Sequence, residues 1–283
     1  MRIIEQFLQG KKSDRQLCED EIVVTDDFVA VIDGSTSKGT ERYTRKATGR
    51  VAADIVSSVL RSLVPADADM ASAVNIVSEA IHDCYLRLGV LPMVERCPEN
   101  RITASSVIYS RSRQEIWMIG DCQCMLDGKL YTNPKRIDGL LAEVRSLYHR
   151  LSDGGSDSFS SASESFSSAS VDCGREFILP LLRKQCRLQN ASADNEYAYG
   201  VFDGIGSPLP FCKMVPAAGV SEVVLASDGY PELFPTLSDS ESYLARILDE
   251  DPMLISLFKA TKGLMPDQCS FDDRAYIRFA CNG

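Results

Sequence analysis

Five acidic sites, each at or beside the end of a short apolar run, hold the residues best suited to chemistry in this chain. They are Glu19-Asp20, Asp33-Gly34 closing VAVIDG, Asp121 in WMIGD, Asp228-Gly229 in VVLASDG, and Asp272-Asp273 before RAYIRF. Runs of that length rich in valine and isoleucine read as buried strands. A carboxylate at the end of a strand stands at the rim of a sheet, where several strands can bring their acids together. Carboxylates gathered at a rim repel one another unless a cation lies between them. Hard divalent cations with oxygen ligands fit that demand. The spacing therefore predicts a carboxylate metal centre.

The rest of the composition narrows the alternatives. Only two histidines, His82 and His149, are present, too few for histidine-rich metal chemistry, and the pattern places both on helix surfaces or boundaries. Ten cysteines are scattered, and only Cys122 and Cys124 are close together. Alternation in a strand puts that pair on one face, so neither a disulfide scaffold nor a zinc site is indicated. A reducing, cytoplasmic compartment is the expectation. A formal net charge of −10 with no long basic block argues against nucleic acid as a partner. No apolar run approaches the roughly 20 residues that cross a bilayer, and the opening MRIIEQFLQGKK does not read as a secretory signal.

The elements that must position the acids follow from hydrophobic period. Residues 21–33 read as two strands joined at Thr25-Asp26-Asp27. Val51, Ile55, Val59 and Leu63, with Ala52, Val56 and Leu60, give a helical stripe that Pro65 ends. Val74, Val77, Ile81 and Cys84 predict a second helix packed antiparallel to the first over one face of a sheet. A strand block from Ser105 to Thr132 turns at Ser110–Gln114 and at Asp127-Gly128. LLAEVRSLYHRL and REFILPLLRKQCRL read as helices, the latter kinked at Pro180. YAYGVFDG, SEVVLASDG and RAYIRFA read as strands, and PELFPTL, SESYLARIL and PMLISLFKATKG as helical material. Residues 152–170, rich in serine, glycine and acids, predict a disordered insertion within a loop of one domain spanning 1–283. Grouped strands and grouped helices indicate an α+β fold.

In order, the marks are ED, DG, GD, SDG and DD, and here the chain resembles the metal-dependent serine/threonine protein phosphatases of type 2C. The matching segments are CED at 18–20, VAVIDGS at 29–35, ITASSVIYS at 102–110, IGDCQ at 119–123, LASDGYPE at 225–232 and FDDRAYI at 271–277. Each is weak alone; their order over essentially the whole chain carries the resemblance. It implies a four-layer α-β-β-α sandwich, two central antiparallel sheets flanked by helix pairs, with two Mn or Mg ions at one end. Transferred motif by motif, the metal ligands are Glu19, Asp33, Gly34 through its carbonyl, Asp228 and Asp272. A looser third metal maps to Asp121 and Glu232. Asp20 and Asp273 stand behind the ligands, and Arg15 occupies the place of a phosphate-gripping arginine, whose fork geometry suits a dianion.

The implied reaction is hydrolysis of phosphomonoesters, chiefly phosphoserine and phosphothreonine in proteins, by a metal-bridged hydroxide held at Asp33 and Asp228. A monomer acting on phosphoproteins, with neither nucleic acid nor membrane as partner, is expected. Asp203 in YGVFDGIG imitates the DG mark but lacks an upstream ED pair, and is read as a hairpin residue. Departures from the family pattern are Ser35 in place of a histidine after DG, SDGYPE in place of SDGLWD, and residues 132–220, which lack the family's usual stretch. A pseudophosphatase used as a binding module and a small-molecule phosphatase are the alternatives.

Overall fold

A computed structural model of the chain describes residues 1–12, 14–152 and 171–281, and at Arg15 the backbone alone. The predicted serine-rich insertion lies almost wholly outside the described residues. Among the described residues, ten strands form two five-stranded antiparallel sheets. One sheet is ordered β2 (Asp20–Val24), β3 (Phe28–Ser35), β4 (Thr103–Ser110), β5 (Glu115–Ile119), β8 (Lys213–Pro216). The other is ordered β1 (Arg2–Gln9), β10 (Arg274–Ala280), β9 (Glu222–Ala226), β6 (Gln123–Leu126), β7 (Lys129–Tyr131).

Alternation along the strands builds the central layer. Ile22, Val29, Val31, Val107, Ile116 and Met118 of the first sheet meet Cys124, Val223, Leu225, Ile277 and Phe279 of the second in one buried cluster. Full burial of each such aliphatic side chain stabilises by roughly 1.5–3 kcal/mol. The opposite faces of the same strands carry the outer cores. Ala30, Ile32, Ile108 and Trp117 pack against helices α1 (Thr48–Ser62) and α2 (Met70–Leu88). The predicted stripe of α1 is rotated slightly: Ala52, Ala53, Val56 and Leu60 are buried, whereas Leu63, which ends the helix, is exposed. Asp69 caps α2, its carboxylate accepting from the Ser72 N–H at 2.8 Å.

A short helix α3 (Leu91–Arg96) leads into β4. On the other side, α6 (Leu237–Glu250) places Leu244 and Ile247 against Val224, Ala226 and Tyr276. Helices α4 (Arg136–Ser152) and α5 (Cys173–Lys184) pack together through Leu141, Ile178 and Leu182, and α5 retains Pro180 inside it.

Several local expectations are corrected. YAYGVFDG forms no strand, only isolated bridges at Tyr199 and Phe202, because the buried Asp203 carboxylate turns the backbone by accepting from the Ile205 and Gly206 N–H groups. Its other oxygen pairs with Arg101 at 2.9 Å, so Asp203 is a packing residue. PMLISLFKATKG is irregular: the Asp251 carboxylate takes the N–H groups of Ile255, Ser256 and Leu257, and Arg145 takes the Leu254 and Ala260 carbonyls. Side chains thus satisfy backbone groups that a helix would have paired internally. His149 is a partly exposed residue of α4, and its Nε2 lies 3.2 Å from Asp172. Strands β1 and β8 had no sequence signal, since both run at sheet edges with largely exposed side chains.

Candidate metal centre

Register places the first acids. Asp20 on β2 faces Asp33 on β3, and Asp33 faces Ser105 on β4. Two-residue alternation continues the inward-facing series Ile22, Val31 and Val107 to these three side chains, so all three point between the sheets. The Ser105 hydroxyl donates to Asp121 Oδ1 at 2.7 Å. Gly120, just before Asp121, adopts φ 84°, and a Cβ there would lie 2.2 Å from Ser105 Oγ. Only glycine combines that backbone with that approach. Asn133 holds the same turn, donating to the Gly120 carbonyl at 2.9 Å.

The second sheet supplies the other wall. Asp228 follows β9 by two residues, and Ser227 is pinned to Ala275 of β10 by hydrogen bonds in both directions, 3.0 and 2.9 Å. Asp33, Asp121 and Asp228 thereby bring one carboxylate oxygen each within 4.8 Å of the others. Glu19, Asp33, Gly34, Asp121, Asp228 and Asp272 all line one cleft of about 460 Å³.

Electrostatics at this floor is dominated by burial and by like charge. Burial, then Asp20, Asp121 and Asp272, push the Asp33 carboxyl well above the ordinary range. Burial, then Asp33, Asp121 and Asp272, do the same to Asp228. Asp20 is 1% exposed, and neither of its carboxylate oxygens has a hydrogen-bond partner among the described residues. Burial raises it strongly, with the charges of Asp273, Asp272 and Asp228 adding to the rise and the nearby Ser227 hydroxyl opposing it. Unpaired buried carboxylates of this kind are costly. Oxygen donors crowded together, with an orphaned acid behind them, are the donor set a hard divalent cation satisfies.

Internal cations balance the remaining acids. Lys135 Nζ lies 2.9 Å from Asp121; burial opposes ionisation of that carboxyl, but Lys135 and Ser105 hold it below the ordinary range. Lys262 pairs with Asp272, and Lys11 lies 3.5, 3.4 and 3.9 Å from Asp272, Asp273 and Glu19. Asp273 accepts the Lys11 and Glu19 N–H groups at 2.7 and 2.8 Å, tying the start of β10 to the chain entering β2. Thr36 donates to Glu19 Oε1. Burial pushes the Cys18 thiol up to about 12, with help from Asp20 and Asp273, and raises Cys122 as well. Neither supplies a thiolate nucleophile.

The expected third-metal pair is not brought together. Asp121 joins Asp33 and Asp228, whereas Glu232 is exposed and does not line the cleft. Tyr230 and Leu233 are buried in the core beneath α6, whereas Pro231 between them is partly exposed and Glu232 points to the surface. Arg15 lies in a 3-10 turn, Arg15–Leu17, and its side chain is outside the described residues. Lys11, Lys38, Lys135, Arg175 and Lys262 in the cleft had no sequence signal, because isolated basic residues in loops match no period or motif. Among the described residues no helix is long and apolar enough to cross a membrane.

No family model matches the chain, and no curated protein matches it. Among solved structures, the chain is similar to the catalytic domain of the serine threonine protein phosphatase PstP in complex with two manganese ions, at 15% identity and TM-score 0.46, with 99% of each chain covered. It is similar also to the serine/threonine phosphatase PstP/Ppp of Mycobacterium tuberculosis, at 16% identity and TM-score 0.43, covering 98% of this chain and 97% of that one. Serine/threonine phosphatase Stp1 of Staphylococcus aureus aligns at 14% identity and TM-score 0.46, covering 99% and 94%. Likeness at this level leaves the site to be read from its own residues.

Proposed function

We propose that this chain is a Mn- or Mg-dependent phosphomonoester hydrolase of the type 2C kind, acting on phosphoserine and phosphothreonine in proteins. One observation carries the reading: Asp33, Asp121 and Asp228, from three separate marks, place carboxylate oxygens within 4.8 Å of one another in a cleft that also holds lysine and arginine side chains. Acids that want cations and cations that want an anion, facing each other, suit a phosphate ester and its metals. The ordered motifs support the same reading.

In this proposal Asp33, Asp121 and Asp228 hold two cations together with Glu19, Asp272 and the Gly34 carbonyl. Bound there, divalent ions supply Lewis acidity: they acidify water and offset charge on a phosphoryl group. The protein's own part is positioning. Ser105 and Thr36 orient Asp121 and Glu19, Asp273 fixes the backbone beneath Glu19, and Asp20 adds negative charge behind Asp33. Ser35, exposed beside the ligands, is no proton donor at neutral pH, so the leaving group takes its proton from water. A cytoplasmic, monomeric, single-domain protein with a phosphoprotein substrate completes the proposal.

The test is hydrolysis of p-nitrophenyl phosphate and of a phosphothreonine peptide with Mn, with EDTA, and by Asp228→Ala. Expected is Mn-dependent turnover lost by at least a thousandfold in the variant. Turnover that persists in EDTA would overturn it. The ion pairs of Lys135 with Asp121 and of Lys262 with Asp272 favour a second reading, a binding module whose acids are neutralised from within. Calorimetry showing no Mn or Mg binding at millimolar concentration would select that one.

A further inference from the structure

Part of the cleft lining comes from three segments that carry no motif in the sequence. Lys38 lies in the loop after β3, Arg175 in the first turn of α5, and Lys262 in the irregular segment before β10, and all three line the cleft that contains Asp33, Asp121 and Asp228. Lys262 is committed to Asp272. Among the described residues the other two form no salt bridge. Lys38 Nζ donates to the Thr36 carbonyl at 2.9 Å, and Arg175 Nη1 to the Thr261 carbonyl at 2.8 Å. Among the described residues neither side-chain cation has a carboxylate oxygen within 4.0 Å of its nitrogens. Among the described residues Arg175 commits one of its five donors, and two half-buried positive charges line the same cleft.

The scaffold behind them is rigid. Asp172 accepts the Arg175 N–H at 2.8 Å and the Gly263 N–H at 3.1 Å, and pairs with the fully buried Arg145 at 2.7 Å. One carboxylate thus sets the height of both Arg175 and the segment carrying Lys262. Arg183 of α5 donates to the Lys38 carbonyl at 3.0 Å, drawing the Lys38 loop to the same helix. Burial, then Arg175 and Lys262, lower the Lys38 ammonium to about 8. The strain runs in the direction that an anion between these groups would relieve.

We propose that Lys38 and Arg175, with Lys262 beside them, form the subsite that grips the phosphate dianion of the substrate, in the same cleft as the carboxylates. The proposal rests on the phosphatase reading for its substrate class, a phosphate monoester, and assigns the grip to residues other than Arg15. Two fixed cations match the charge of a monoester dianion, and guanidinium forks bind phosphate oxygens bidentately.

Inorganic phosphate is the probe. Its binding is measured by calorimetry, and its inhibition constant where turnover is present, for the intact protein and for Lys38→Ala, Lys38→Arg and Arg175→Ala. Expected is phosphate affinity weakened at least tenfold in both alanine variants and restored within threefold by Lys38→Arg, with Mn affinity unchanged within twofold. If Arg175→Ala fails to fold for want of its Thr261 bond, Arg175→Lys and Lys38→Ala carry the test. Phosphate affinity within twofold of wild type in Lys38→Ala, or no phosphate binding by the intact protein at millimolar concentration, overturns the proposal. Phosphate binding is read without catalysis. A protein that binds phosphate through Lys38 yet hydrolyses nothing overturns the enzyme and keeps the subsite; one that hydrolyses esters with phosphate affinity indifferent to Lys38 does the reverse.

Discussion

Asp20 and Asp33 stand directly opposite each other on β2 and β3, two carboxylates in cross-strand register at the end of a buried hairpin. Like charges so placed destabilise a sheet, and among the described residues the Asp20 oxygens have no hydrogen bond to compensate. A cation bound at the proposed site would offset this repulsion. Asp20→Asn should raise the melting temperature in EDTA, by a few degrees for a gain of about 1–2 kcal/mol. It should also shrink the stabilisation that Mn confers, since that increment follows affinity. Thermal scans with and without Mn check both signs; a variant less stable in EDTA than wild type contradicts the account.

Lys135 balances Asp121 at 2.9 Å and so competes with any cation for that carboxylate. Lys135→Met should leave the metal-free protein less stable, because an acid loses its partner. The same variant should bind Mn more tightly, by about tenfold, or roughly 1.4 kcal/mol of relieved competition. Calorimetric titration measures this directly, and weaker binding would show that Lys135 supports the metal instead.

Gly34 passes so close to α1 that a Cβ would meet the Gly49 carbonyl oxygen at 2.1 Å. Both partners are buried backbone and cannot swing aside. Gly34→Ala should cost about 3 kcal/mol and weaken Mn binding, because the displaced strand carries Asp33. Gly89→Ala, at a helix end where nothing lies within 4 Å of the added carbon, should leave Mn affinity unchanged. Urea unfolding and Mn titration on both variants compare the two effects.

Asp172 ties together Arg145, His149, Arg175 and Gly263. Burial opposes its charge, but His149, Arg145 and the Arg175 N–H more than offset it and hold the carboxyl well below the ordinary 3.8. A depressed acid contributes its stability above the unfolded value and loses it as pH falls through the folded one. Asp172→Asn should therefore cost about 3–5 kcal/mol near pH 7, with Arg145 left buried and unpaired. The gap from wild type should narrow as pH drops below 3.8. Denaturant unfolding across that range tests the sign, and a gap independent of pH would refute it.

The acids, the strands that end on them and the two helices of the first outer layer were legible in the sequence. Their signals are local: apolar period, turn residues and capping sites at short range. Asp33, Asp121 and Asp228, whose carboxylates cluster, could be picked out as candidates because each stands beside a strand whose pattern is plain. Tertiary structure decided the rest. It paired Asp20 with Asp33, hung Asp121 on Ser105, left Glu232 at the surface and buried Asp203 against Arg101. It also carried Lys11, Lys38, Lys135, Arg175 and Lys262 from unpatterned loops and a helix end into one cleft. Strand character is written in a few consecutive residues, whereas the meeting of charges from distant segments depends on how two sheets and their helices pack, and no spacing along the chain encodes that distance.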